Sequence, residues 1–181
     1  MPNAALGDQE TAGFRRSLLI LVAAGIAALG TPVSSMAADG DKYTDWTMRC
    51  EKPEDSLEER CHIFQNATDE SNGQDIAHMA VGYMPQIEEP LMIIMLPLGV
   101  FLPSGIELMI DGNDPIRLPF EVCFPVGCRA GAPMKDPLMG AFRNGLKVTL
   151  KVQDVEGRAA EIPLSLKGFT AGLSALPKKA Q

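Results

Sequence analysis

Four cysteines, Cys50, Cys61, Cys123 and Cys128, carry the chemistry most sensitive to spacing in this chain. Cys123 and Cys128 enclose Phe-Pro-Val-Gly. That is not the two-residue spacing of thiol oxidoreductases, so the pair reads as a bridge pinning a hairpin end. Cys50 and Cys61 flank a very polar segment, and local pairing, Cys50–Cys61 and Cys123–Cys128, is the expected connectivity of the three that four cysteines allow. The two histidines, His62 and His78, fall in separate strand candidates; a metal site would need each joined by carboxylates or thiolates, and the cysteines are better used in bridges, so no metal site is expected. No Ser-His-Asp pattern and no Gly-rich phosphate loop stands out. Asp111, Asn113 and Asp114 lack the twelve-residue calcium loop and its terminal glutamate, and read as a hairpin turn. No cofactor and no catalytic residue is expected.

Disulfides need an oxidising compartment, and the N-terminus supplies a route to one. Arg15 and Arg16 precede the uncharged apolar run 17–30, which Thr31 and Pro32 break. Small residues follow, with cleavage contexts around Met36-Ala37-Ala38. This is the pattern of a secretory signal peptide over residues 1–38, leaving a single exported domain over 39–181. The run is shorter than the ~20 residues of a membrane span. A retained, tilted anchor over 17–38 and a twin-arginine signal are the alternatives. The formal net charge of −7 argues against nucleic acid, which needs a basic footprint.

The exported part must position its cysteines with strands. Residues 46–50, 60–66, 75–84, 91–96, 106–110, 116–123, 147–153 and 159–164 read as strands, several with clear alternation. Asp111-Gly112-Asn113-Asp114 is the strongest hairpin signal. Pro119 marks an edge or bulge. Residues 130–133 with Pro137 read as a punctuated linker into a second packing unit. Short helices are expected near 135–144, through Leu138, Met139 and Phe142, and towards 176, through Leu166, Phe169, Leu173 and Leu176. The class is mainly β: a compact antiparallel β-sandwich or barrel-like sheet pair with two short helices at its margins.

Two features could serve function. The segment 97–105 is a Pro/Gly-rich loop that nevertheless carries Leu98, Val100, Phe101, Leu102 and Pro103, the composition of a candidate interaction surface. Glu107 and Glu121 lie on strand candidates and could face one cleft. The first points to an interaction or accessory protein that meets an envelope protein, a membrane complex or a membrane surface. The second points to a small-ligand carrier or enzyme with a sheet-lined pocket. The methionines clustered from Met79 to Met109 read first as core.

The chain resembles the invasion-associated locus B family, exported envelope proteins of alphaproteobacteria. The resemblance rests on Trp46 with Cys50 and Cys61, on segments 97–112 and 118–130, and on the closing 163–176 with Gly168-Phe169. It implies a mostly β periplasmic or membrane-associated domain with disulfides and no transferable catalytic residues.

Overall fold

The structure is a computed structural model, and it describes residues 38–54, 58–85 and 87–177. The expected signal segment therefore lies outside the described residues, save Ala38. No helix among the described residues is long and apolar enough to cross a membrane.

Among the described residues, eleven strands form two antiparallel sheets. The larger has the order β1 (Lys42–Tyr43), β2 (Trp46–Glu51), β3 (Arg60–Thr68), β4 (Asp75–Gly82), β5 (Leu91–Leu96), β9 (Gly127–Pro133) and β8 (Phe120–Phe124). The smaller has the order β11 (Ala159–Ser165), β10 (Lys147–Gln153), β6 (Ile106–Ile110) and β7 (Ile116–Leu118). Two short helices, α1 (Leu138–Asn144) and α2 (Phe169–Ala175), sit at the margin. This is the expected mainly β, sandwich-like architecture.

Alternation sorts each strand into two faces. Met92, Ile94 and Leu96 of β5 are buried while Leu91, Ile93 and Met95 are half-buried on the other side. The same holds for Val148, Leu150 and Val152 of β10. The inward residues of both sheets belong to one core cluster. Met48, Met79 and Met92 are wholly buried, so these methionines are core. The helices close one side of that core. Phe169 of α2 meets the Trp46 and Phe142 rings edge-on at 5.4 and 5.3 Å. Trp46 Nε1 donates to the Ser165 carbonyl at 3.0 Å, satisfying the one polar atom of a buried indole.

Three expectations need correction. Residues 130–133 are not a linker: they belong to β9, an inner strand between β5 and β8. Gly, Ala and Pro are poor strand formers in isolation. Here the ladder to β5 and the room left by small side chains decide. The expected single strand 116–123 is two strands, because Pro119 is where the chain leaves the smaller sheet at Leu118 and enters the larger at Phe120. There is also no separate C-terminal unit, since β10 pairs directly with β6.

Candidate binding surfaces

Both expected disulfides are present, and each joins residues directly opposite in an antiparallel ladder: Cys50 with Cys61 across β2–β3, and Cys123 with Cys128 across β8–β9. Glu59 brings a carboxylate within 4.8 Å of the first pair's sulfurs. Those sulfurs are bonded to each other, so the trio is not a thiolate metal site. The Asp111 carboxylate accepts the backbone N–H groups of Leu146 and Lys147 at 3.1 and 2.9 Å. It fastens the β6–β7 turn to the start of β10.

Glu107 and Glu121 do not share a cleft. Glu107 lies on β6 of the smaller sheet and is paired with Arg117 at 2.8 Å. Glu121 lies on β8 of the larger sheet and is paired with Arg129 at 3.1 Å. The change of sheet at Pro119 separates them.

The β5–β6 connection is held firmly and is apolar outside. Phe101 N–H donates to the Gln153 carbonyl at 2.8 Å, Val155 N–H donates to the Gly99 carbonyl at 3.1 Å, and Val100 bridges Asp154. Leu102–Ser104 forms one 3₁₀ turn. With its backbone tied down, the segment leaves Leu98 59% exposed, with Phe101, Leu102 and Pro103 also exposed and Val100 half-buried. Two further connections reach the same end of the molecule. Leu96 closes β5 opposite Cys128, so the β8–β9 turn lies beside the start of this loop, with Val126 at its tip 80% exposed. The β10–β11 turn brings Val155, 66% exposed. A groove of about 400 Å³ opens beneath, lined by Leu96, Leu98, Val100, Val152 and Ile162 among others. Asp154 and Glu156 on the β10–β11 turn are both paired with Arg158, which also lines the groove, and Asp69 and Glu70 stand on the β3–β4 turn. Hydrogen bonds from the Ser71 hydroxyl and backbone hold the Asp69 carboxyl below its usual range. The spacing of Cys123 and Cys128 was the available signal for Val126. Nothing in the sequence places Val155 beside Leu98.

The outer face of the larger sheet is the second surface. Its central residues are small or apolar: Ala80 and Gly82 on β4, Ile93 and Met95 on β5. They line a trough of about 360 Å³. An added Cβ at Gly82 would lie 2.8 Å from His62 Cβ, so β3 and β4 close there only over glycine. One wall is an aromatic row, with Phe64 5.4 Å from the His78 ring and 6.1 Å from the His62 ring. His78 Nδ1 is 2.7 Å from Asn66 Oδ1, and Asn66 Nδ2 donates to Asp75 at 2.7 Å. With the amide donating to Asp75, its oxygen must accept, so His78 carries its proton on Nδ1. Burial lowers the pKa of both histidines, so they are neutral walls at pH 7.

The described residues form a disulfide-stapled, two-sheet antiparallel β domain with an exposed apolar end. The family described as "Invasion associated locus B (IalB) protein" matches residues 46–177. Two relatives, described as invasion protein B homologs of Brucella abortus strains 2308 and 9-941, are each 25% identical over 168 residues. Those alignments cover 83% of this chain and 92% of the relatives. The crystal structure of invasion associated protein b from Bartonella henselae superposes with a TM-score of 0.61 at 17% identity. It covers 72% of this chain and 89% of that one, and it supports the fold. The chain belongs to the invasion-associated locus B family, and is a non-catalytic, exported protein of the cell envelope.

Proposed function

We propose that the chain is an accessory protein of the envelope that docks on a partner protein through the end formed by Leu98, Phe101, Leu102, Val126 and Val155. One observation carries this reading: three connections from both sheets present exposed large apolar side chains at one end, on backbone that is hydrogen-bonded in place. Holding the loop rigid lowers the ordering cost of binding. An exposed apolar centre on a rigid backbone fits a protein partner with a complementary apolar patch. Residues 1–38 serve in this reading as the export signal.

The test is affinity purification from crosslinked native membranes, comparing the wild-type chain with a Leu98→Asp/Phe101→Asp double variant. A stoichiometric partner lost in the variant supports the reading. The same partner recovered equally from both would refute it.

A further inference from the structure

The trough on the outer face of the larger sheet lies outside the docking end, and its chemistry is different. We propose that it binds a single-chain amphiphile with a carboxylate head, a long-chain fatty acid, its tail along Ala80, Ile93 and Met95 and its carboxylate at Arg60. At about 360 Å³ the trough falls within the ordinary ~300–1,000 Å³ range of small-molecule sites. Its floor lacks polar side chains because small residues occupy the centre of the sheet, where bulky β-branched ones would normally fill the space.

The two ends of the trough differ in charge. At one end Arg129 is neutralised by Glu121 at 3.1 Å and lies over the Phe124 ring at 5.9 Å. This end receives the tail. At the other, Arg60 is exposed and makes no ion pair among the described residues. Glu51 stands opposite Arg60 on β2 but turns to Arg49 at 3.9 Å, so it does not pair with Arg60. Among the described residues no Asp or Glu lines the trough, in a chain of net charge −7. An unpaired guanidinium at one end of an apolar channel matches a ligand with one anionic head and an apolar tail. The neutral histidines add aromatic wall without further charge.

The test is a fluorescence titration of the full chain with cis-parinaric acid, kept below its micelle concentration at pH 7.5. Saturable one-to-one binding is expected. Ala80→Phe fills the trough and should weaken binding at least about tenfold, about a side chain's worth of lost apolar contact. Arg60→Gln, at an exposed site that leaves folding intact, should weaken it about tenfold through the lost charge-assisted bond. The methyl ester should bind the wild type less tightly than the acid and be insensitive to Arg60→Gln. Absence of saturable binding would overturn the proposal. So would wild-type affinity in a folded Ala80→Phe variant, or equal affinity for acid and ester. Sedimentation with phosphatidylglycerol vesicles without binding of the monomeric acid would likewise overturn it, by reassigning the face to a membrane surface.

Discussion

Leu96 stands opposite Cys128 in the β5–β9 ladder, and this pairing sets the Leu98 loop beside the Val126 turn. Two apolar segments far apart in sequence thereby reach one end of the domain. The Cys123–Cys128 bond closes the turn on the same rung, where Cys123 faces Cys128 across β8–β9. A bridge over so short a loop constrains little of the unfolded chain, so its main effect is on geometry. In a Cys123→Ser/Cys128→Ser variant, amide exchange should quicken in residues 120–127 and partner recovery should fall, with only a modest loss of global stability. Unchanged exchange there would show that the turn holds without its bond.

The Cys50–Cys61 bond acts differently. It closes a longer loop across a sequence separation of 11 residues, part of which is strongly charged. Its removal by Cys50→Ala/Cys61→Ala should cost about 3 kcal/mol in chemical denaturation. The docking end should be unaffected, because β2 and β3 carry this bond at their far end.

Gly168 is the residue that allows α2 to dock. Its φ is +88°, and an added Cβ would run into the Tyr43 carbonyl oxygen. Gly168→Ala should therefore cost about 2 kcal/mol or more, combining a left-handed penalty with the clash. The near-ultraviolet signal of Trp46 should weaken too, since Phe169 packs against it. A variant with wild-type melting temperature would contradict this packing account.

Much of this architecture was readable in the chain. Strict alternation in Lys147–Gln153 announces β10, and Leu138, Met139 and Phe142 announce α1. Local cysteine pairing followed from hairpin-like spacing. What escaped were features decided by tertiary pairing. β9 has the sequence Gly-Cys-Arg-Ala-Gly-Ala-Pro, whose strand character comes from its neighbours β5 and β8. Lys42–Tyr43 is too short for any periodicity to register, and becomes β1 through its pairing with β2. Half of the apolar end was visible as the composition of 97–105. Its other half, Val126 and Val155, depends on which turns share an end, which no local pattern encodes.

The histidines give a pH dependence of fixed sign. Burial lowers the pKa of His62 and His78 in the folded chain, whereas the unfolded chain titrates near 6.5. Below that value the unfolded state binds more protons, so stability is fullest above about pH 6.5 and falls as pH drops through the lowered folded values. Melting temperature should decline from pH 7.5 to 5.5, and the decline should shrink in a His62→Asn/His78→Gln variant. Carboxylates with lowered pKa, such as Asp69 and Glu89, lose their contribution only at more acidic pH, so they leave this window clear.

The docking end is tested most directly by placing a photo-crosslinking residue at single positions and irradiating intact envelopes. Leu98 and Val126 probe the proposed surface, and Leu146, 68% exposed at the opposite end of β10, is the control of similar character. Positions 98 and 126 should give the same discrete protein adduct, and position 146 should give none. An adduct at 146 with none at 98 and 126, or lipid adducts at all three, would contradict the account.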